Sequence, residues 1–263
     1  MILEKNSRKE STLNNLKGPV LTIYLNIDPT RGQFERDEWK IRLKNGLKRI
    51  EEYIFASQQE QIKQFTDIKA KVVSAIKDNQ TTFKHGFICF ASADQIFMKH
   101  VQVPIKTRFY WEDQPVTKPL EHLRSKYPKS GVVLLQSEKV AILDTLLGEL
   151  KGEVHYTFDL QNEHWKQYKG LAFGAIISSS ANHRDKYSHR LKQNKARWLK
   201  SLIPKIEKHA KDGEWEGIYL VGPAELTKDI QPHLNTRILG ILSRNFSGKT
   251  AHEVLQAVIM QDQ

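Results

Sequence analysis

The chain has 263 residues, of which 39% are hydrophobic and 27% are charged, and its formal net charge is +11. This composition is that of a globular protein and excludes a mostly disordered chain, and the length fits one large domain or two ordinary ones. The positive balance favours an anionic partner such as a nucleic acid over an acidic small molecule. The first ten residues contain no apolar core of signal-peptide length, and no run approaches the length of a membrane span, so we expect a cytoplasmic protein without a membrane partner.

The first half of the chain predicts a small α/β domain. Trp39, Leu43, Leu47, Ile50 and Ile54 recur at spacings of three and four, which is typical of one buried helix face. β-branched and aromatic runs bounded by turn residues indicate strands on either side of two such helices. The predicted elements are a strand at 19–27, helices at about 39–54 and 59–77, and a hairpin of strands at 85–91 and 95–103.

Prolines at 104, 115, 119 and 128 surround a short predicted helix at 120–127 and mark a boundary between domains of residues 1–125 and 126–263. The second half alternates apolar strands with amphipathic helices, which predicts a mixed sheet with helices packed on it. The overall fold class is therefore α/β with two domains. The predicted elements of the second domain are strands at 131–136, 139–147, 153–160, 217–223 and 237–243, and helices from about 186, at 224–233 and at 250–260.

The basic charge of the second half is concentrated in one segment. Residues 180–211 contain ten lysines or arginines and two acids, a net charge of +8, whereas the rest of that half carries −3. The segment joins a Ser-rich loop (residues 178–185) to a helix whose apolar positions are 187, 191, 198, 202 and 206, and Pro204 is expected to kink or restart that helix. A loop followed by a basic helix is suited to a phosphate-rich surface. The residues predicted to contact RNA are Ser178, Ser179, Ser180, Arg184, Lys186, Arg190, Lys192, Lys195 and Arg197.

Other motifs favour structural roles. Phe246-Ser-Gly-Lys-Thr250 is similar to the end of a phosphate-binding loop, but position 243 is serine where that motif requires glycine, and capping of the last helix by Ser247 or Thr250 explains the segment. Cys89, the only cysteine, lies in an apolar run and is predicted to be a packing residue. The histidines do not form a metal-binding pattern, so neither a metal nor a cofactor is expected. The aromatic cluster at 163–168 is predicted to be a satellite of the core.

The order and spacing of the second-half motifs resemble the middle domain of the archaeal–eukaryotic class 1 peptide release factors and their relative Pelota. Lys129-Ser-Gly-Val-Val-Leu-Leu, the basic run from Lys186 to Lys200, Trp215-Glu-Gly-Ile-Tyr-Leu-Val-Gly-Pro223 and Phe246-Ser-Gly-Lys carry the resemblance, which covers roughly 129–260. The resemblance implies a bacterial branch of that superfamily, a middle domain with an RNase H-like sheet, and the ribosome as partner.

Two departures from the family affect the expected activity. The hydrolytic factors carry Gly-Gly-Gln on the loop before the basic helix, where this chain has Ser180-Ala181-Asn182. Asn182 keeps the carboxamide but is one methylene shorter, and His183 is the other candidate for the catalytic tip. The chain also lacks the Asn-Ile-Lys-Ser stop-codon motif and, ending at Gln263, a third domain for a partner GTPase, so dependence on stop codons is not expected.

The resemblance thus implies a ribosome-associated translation factor that enters the A site and contacts rRNA, independently of stop codons. Whether it is an enzyme stays open at this stage. One alternative is a rescue factor that hydrolyses peptidyl-tRNA with the altered loop, and the other is a non-catalytic hibernation or stress factor that occupies the site. A further alternative is a tRNA or RNA nuclease, or another RNA-binding protein, although no acidic constellation for nuclease chemistry is visible.

Overall fold

The computed structural model describes Leu13, Leu16 and residues 18–27, 38–79, 85–136, 139–159, 164–168 and 184–261, with only the backbone described for 159, 168 and 184–197. The chain forms two compact units, Met1–Leu123 and Arg124–Gln263. Each unit has its own sheet and its own hydrophobic core. No helix of the described residues is long and apolar enough to cross a membrane.

The first unit is built on an antiparallel four-stranded sheet of order β3-β2-β1-β4. Its central strand β1 is buried along nearly its whole length, as its β-branched and aromatic residues predict. The helices α1 and α2 follow β1 in the chain, joined by a 3₁₀ turn at Gln59–Gln61. The elements of this unit are β1 (Val20–Asn26), α1 (Glu38–Ser57), α2 (Ile62–Asn79), β2 (Gly86–Ala91), β3 (Ile96–Val101) and β4 (Arg108–Glu112).

Alternate residues of β1 and β2 pack under the two helices. Leu21, Ile23 and Leu25 contact the apolar faces of α1 and α2 in one cluster, which also contains Cys89. Gly46 allows β4 to approach α1 closely, because a Cβ there would lie 2.2 Å from the Phe109 ring. The prediction that Cys89 is a packing residue is confirmed, and its burial raises the pKa of the thiol to about 12.

The opposite face of β1 is covered by the segment that follows β4. The Tyr24 hydroxyl donates to the Val116 carbonyl at 2.7 Å, and the Val116 amide donates to the Thr22 hydroxyl at 3.2 Å. Tyr24 also meets the edge of the Phe90 ring, with centroids 6.1 Å apart. The two fully buried polar side chains of this strand, Thr22 and Tyr24, therefore have hydrogen-bond partners, as burial demands.

The second unit contains a six-stranded mixed sheet of order β10-β9-β5-β6-β7-β8. β5 through β8 pair antiparallel in sequence order, whereas β9 pairs parallel with both β5 and β10. The predicted mixed sheet of an α/β fold is confirmed. The strands are β5 (Ser130–Leu135), β6 (Lys139–Leu146), β7 (Glu149–Asp159), β8 (His164–Tyr168), β9 (Gly217–Val221) and β10 (Ile238–Leu242).

Helices cover both faces of this sheet. Alternation along β5 sends Val133 and Leu135 to a core beneath α4 and α5, and sends Val132 and Leu134 to a core beneath α6. The helices of this unit are α4 (Arg184–Asp212), α5 (Ala224–Ile230, followed by a 3₁₀ turn at Gln231–His233) and α6 (Ala251–Gln261), whereas α3 (Lys118–Lys126) contains the boundary between the two units. α4 runs without interruption through Pro204, so the predicted restart is wrong. Leu202 and Ile206 on either side of the proline are fully buried, and their packing holds the helix together despite the missing amide hydrogen.

Two short strands were missed by the sequence-based prediction. β4 lies in the proline-containing stretch that the sequence predicts to be a domain junction. β8 contains the aromatic cluster that the sequence predicts to be a satellite of the core. Trp165 of β8 instead belongs to the main core of the second unit. β7 begins at Glu149, four residues before its predicted start. All three differences concern segments whose pairing partner, and not their own pattern, decides that they are strands.

Candidate nucleic-acid interface

The candidate interface is centred on α4, the helix predicted to follow the Ser-rich loop. From residue 198 onward its side chains are described, and one stripe of them is buried against the sheet. The stripe recurs at helical spacing, which confirms the predicted apolar positions 198, 202 and 206, whereas the side chains at 187 and 191 lie outside the description. The buried residues of the described part of α4 are Trp198, Leu199, Leu202, Ile206 and Ala210.

Aromatic rings from the sheet hold α4 at Trp198. The Phe158 ring stacks on the Trp198 ring with centroids 4.4 Å apart, and Trp165 meets Phe158 edge-on at 5.2 Å. The Trp165 indole nitrogen donates to the Trp198 carbonyl at 3.0 Å. The β7–β8 hairpin thus fixes a point on α4 that lies 14 residues, or about 21 Å, after the start of the helix at Arg184.

A second attachment lies near the C-terminal end of α4. The Tyr156 hydroxyl of β7 and Nε2 of His209 are 2.7 Å apart, and the Lys205 ammonium lies 5.5 Å from the Tyr156 ring centroid. Burial, followed by the charges of Lys208 and Lys205, outweighs Asp212 and lowers the pKa of His209, while burial raises the pKa of Tyr156. A neutral imidazole of His209 that accepts a hydrogen bond from the Tyr156 O–H is consistent with the lowered pKa of the histidine and with the raised pKa of the tyrosine.

Glu207 ties α4 to the turn that precedes β10. Its carboxylate accepts hydrogen bonds from the amides of Asn235 and Thr236 at 2.7 and 3.1 Å and from the Thr236 hydroxyl at 2.7 Å. Burial tends to raise the pKa of Glu207, but these hydrogen bonds outweigh it and hold the pKa below its ordinary value. Glu207, one of the two acids within the basic segment, is therefore hydrogen-bonded to another part of the protein.

The solvent side of α4 is cationic. Lys200, Lys208 and Lys211 are exposed in the described part of the helix. Arg197 lies three residues before Lys200 and eleven before Lys208, so the 3.6-residue period puts it on the same side. Arg190, seven residues before Arg197, continues that side toward the N-terminus of α4. We call positions 186, 190, 197, 200, 208 and 211 the basic face.

Other basic positions have a different register. Lys195 lies three residues before Trp198 and seven before Leu202, which is the register of the buried stripe. Lys192 and Arg184 fall on the same side by the same count. The register of the helix therefore divides the predicted RNA contacts into two sets, and only Lys186, Arg190 and Arg197 share the side of the exposed lysines.

The predicted tip of the site lies outside the described residues. Asn182, His183 and Ser178–Ser180 belong to this group, and for Arg184, Lys186, Arg190, Lys192, Lys195 and Arg197 the structure describes the helical backbone alone. Their catalytic and RNA-contacting roles stay predictions. The sequence did not identify the supporting residues Trp165, Glu207 and His209, although alternation of polar and apolar residues in His-Trp-Lys-Gln-Tyr was a usable signal for β8.

The segment before α6 is a helix cap, as predicted. The Thr250 hydroxyl accepts the Glu253 amide at 3.3 Å, and the Glu253 carboxylate accepts the Thr250 amide at 2.8 Å, a reciprocal capping box. Lys249 donates to the other Glu253 oxygen at 2.8 Å, and these hydrogen bonds lower the pKa of Glu253 to about 2. The groups that would contact a phosphate in a nucleotide-binding loop are thus occupied in capping. The described residues also contain no group of three or more metal-ligating side chains.

Comparison with known proteins agrees with this architecture. Residues 128–260 match the model of the family described as bacterial archaeo-eukaryotic release factor family 5. A protein of Bacillus subtilis (strain 168), the uncharacterized protein YocB, is 29% identical over 243 residues, which are 92% of each chain. Among solved structures, an archaeal protein and the archaeal translation termination factor aRF1 both align with TM-scores of 0.32, at 14% and 15% identity. These alignments cover 99% and 98% of this chain and 70% and 74% of the other chains. The family match spans half of the chain and the whole second sheet, and the protein therefore belongs to bacterial archaeo-eukaryotic release factor family 5.

Proposed function

We propose that the protein is a cytoplasmic, ribosome-associated translation factor that enters the A site and does not depend on a stop codon. The observation that carries the proposal is the match of residues 128–260 to a release-factor family, since this region contains the basic face of α4. In the proposed arrangement the basic face lies along rRNA or tRNA phosphates. The Ser-rich loop then points toward the peptidyl-transferase centre, because it immediately precedes the N-terminus of α4.

The attachment of α4 supports this role physically. Binding of a flexible basic segment would cost the free energy of ordering its backbone and side chains. The described half of α4 is already fixed by the Trp198 stack, the Tyr156–His209 hydrogen bond and the Glu207 carboxylate. The basic face is therefore presented on a helix whose position is set before RNA is met, which favours affinity.

Cosedimentation of the full chain with 70S ribosomes over a series of salt concentrations tests the proposal. Each phosphate contact that is lost should reduce the log–log salt slope by roughly 0.7–0.9. We expect the double variant Arg190→Glu, Arg197→Glu to bind more weakly and with a shallower slope. The matched control, Lys228→Glu with Arg244→Glu, changes the charge equally at exposed positions outside α4 and should bind normally. Equal affinity and slope for wild type and the α4 variant would refute the interface.

Peptidyl-tRNA hydrolysis is the alternative for the same site. An amide such as Asn182 is not a base at neutral pH, so release would rest on positioning water and stabilising the oxyanion. Activity would then require the ribosome, and Asn182→Ala should abolish release while ribosome binding persists. A puromycin-like release assay on vacant-A-site ribosomes decides between the two. Binding without release would establish a factor that occupies the site, as in hibernation, and release that survives in Asn182→Ala would transfer the role to His183.

Nucleolytic activity is tested in the same preparation. The full chain is incubated with ribosomes, tRNA and mRNA, and the RNA lengths are read on a denaturing gel. We expect intact RNA, because the sequence shows no acidic constellation for nuclease chemistry. Specific cleavage of tRNA that depends on the 178–185 loop would replace the translation-factor proposal by a nuclease.

A further inference from the structure

The first unit contains an open groove of about 660 Å³ between α1 and α2. Its floor is apolar and belongs to the core that the two helices form over the sheet. Along α1 the groove extends from Trp39 to Glu51, which is about 18 Å at the helical rise. The floor residues are Trp39, Leu43, Leu47, Val73 and Ile76.

Lysines line both walls of the groove. Lys40, Lys44 and Lys48 stand one turn apart along α1, and Lys69 and Lys77 stand two turns apart along α2. The acidic residue among the lining side chains is Glu51, which is paired with Lys69 at 2.7 Å. Lys48 is also paired, with Glu52 at 3.5 Å. Five lysines against one acid among the lining residues still leave both walls positive, so an occupant that carries acidic side chains would match them.

Exposed apolar side chains lie on the side of α1 that carries Lys48, one of the lysines that line the groove. Ile41 is 61% exposed and Phe55 is 65% exposed, although both are large hydrophobic residues. Each lies seven residues from Lys48, so the three share one side of α1. Single exposed hydrophobic residues are common on protein surfaces, but two that flank a lysine of the groove wall favour a contact surface beside the groove.

The shape and the spacing together indicate which occupant fits. A helix with its side chains is about 10 Å wide and presents acids at one-turn intervals, which matches the interval of Lys40, Lys44 and Lys48. A flat membrane surface would meet the lysines but would not reach a floor recessed between two helices. RNA phosphates would also meet the lysines, but they would leave the exposed parts of Val73 and Phe55 without apolar partners.

We propose that this groove binds an acidic amphipathic helix of a partner protein, about 12–15 residues long, with an apolar stripe flanked by carboxylates. The stripe of the partner would cover Val73 and the exposed edges of Trp39 and Leu43, and its two carboxylate rows would face the lysines of the two walls. This inference concerns the first unit and does not depend on the function proposed for the second.

Fluorescence anisotropy with the full chain tests the inference. The probe is a labelled 16-residue helical peptide with leucines on one face and glutamates on both flanks. One control peptide has the same composition in scrambled order, and the other has lysine in place of every glutamate. We expect the acidic amphipathic peptide to bind at least tenfold more tightly than either control, and its affinity to fall with added salt. Equal binding of the scrambled peptide would overturn the proposal, because it would show attraction by charge alone.

Charge reversal locates the site. Lys44→Glu with Lys77→Glu reverses one exposed lysine on each wall and should weaken the peptide at least tenfold. The matched control is Lys71→Glu with Lys106→Glu, at exposed positions of the same unit that do not line the groove, and it should bind like wild type. Circular dichroism confirms that both variants are folded. Equal peptide affinity of the two double variants would overturn the proposal.

A variant without charge change separates the apolar contribution. Ile41→Ser with Phe55→Ser alters only exposed side chains, so the fold should be retained while peptide affinity falls several-fold. Vesicles of anionic phospholipid and a single-stranded RNA oligonucleotide are titrated in parallel. If either binds through Lys44 and Lys77 more tightly than the acidic peptide does, the partner is a membrane or an RNA and the proposal is wrong.

Discussion

Replacement of Trp198 by alanine removes the side chain that attaches α4 to the second sheet. The indole is 5% exposed and is stacked on Phe158 at 4.4 Å, and Phe158 in turn contacts Trp165. The hydrogen bond from Trp165 to the Trp198 carbonyl does not involve the deleted atoms. The substitution therefore leaves a cavity between α4 and the β7–β8 hairpin and keeps the neighbouring polar contact.

The expected cost follows from the burial. Truncation of a buried tryptophan to alanine in a packed core costs about 3–5 kcal/mol, of which an aromatic pair accounts for about 0.5–1.5 kcal/mol. With a urea dependence of about 2 kcal/mol per molar, the midpoint of the second unit should fall by roughly 1.5–2.5 M. This is a large fraction of the total stability of a typical domain, about 5–15 kcal/mol.

Equilibrium urea unfolding of the full chain, followed by tryptophan fluorescence and by circular dichroism, measures the effect. Trp39 and Trp111 report on the first unit, whereas Trp165 and Trp215 remain in the second unit of the variant. We expect the transition of the second unit alone to shift. The control Phe55→Ala, at a position 65% exposed in the first unit, should change stability by no more than about 0.5 kcal/mol.

A decrease of less than about 1 kcal/mol in the unfolding free energy of the second unit for Trp198→Ala would refute the reasoning, because removal of a packed tryptophan side chain costs more than that. A shift in the transition of the first unit would equally contradict the assignment of Trp198 to the second core. If the alanine variant does not accumulate in folded form, Trp198→Phe keeps the aromatic stack and should lower the same midpoint by a smaller amount.

Three further predictions concern single side chains. The folded pKa of His209 lies below the ordinary histidine value of about 6.5, so the unfolded state binds the proton first as the pH falls. The contribution of this group to stability is therefore present above that pH and is lost as the pH falls below it. His209→Gln should flatten the dependence of the unfolding free energy on pH between pH 7 and 5, measured by urea titration. Glu207→Ala removes the acceptor of three hydrogen bonds and should lower the unfolding free energy of the second unit by about 1–3 kcal/mol, whereas Glu214→Ala, at an exposed position, should have little effect. The buried Cys89 thiol, with its pKa raised to about 12, should not react with Ellman's reagent until urea unfolds the first unit, and rapid labelling of the native protein would contradict its burial.

Sequence periodicity predicted the long elements because their own residues bury their own faces. Trp39, Leu43 and Leu47 lie at helical spacing on α1, and Trp198, Leu202 and Ile206 do so on α4, and all six are buried. The central strands β1, β2, β5 and β9 are buried along nearly their whole length because helices or loops cover both of their faces. The mixed sheet of the second unit followed from the order of these elements, which the chain itself fixes.

The candidate site was predictable only in its charge. The ten basic residues of 180–211 are visible in the sequence, but which of them share a side depends on a continuous helix through Pro204. That continuity comes from burial on either side of the proline, and a local rule predicts a break there. The catalytic roles of Asn182 and His183 are inferred from a family resemblance and stay predictions.

What the sequence by itself determined is therefore the composition of each face: where apolar stripes lie, where positive charge collects and in which order strands and helices follow. The tertiary structure alone decided the contacts between residues far apart in the chain. β4 is a strand because it pairs with β1, which lies more than 80 residues earlier. The Glu207 carboxylate accepts hydrogen bonds because Thr236, 29 residues later, is folded against it. The groove between α1 and α2 likewise exists only once the two helices pack side by side. Local sequence patterns reflect the free energy of burying a residue's own side chain. Strand pairing, long-range hydrogen bonds and grooves between helices depend instead on residues that only folding brings close together.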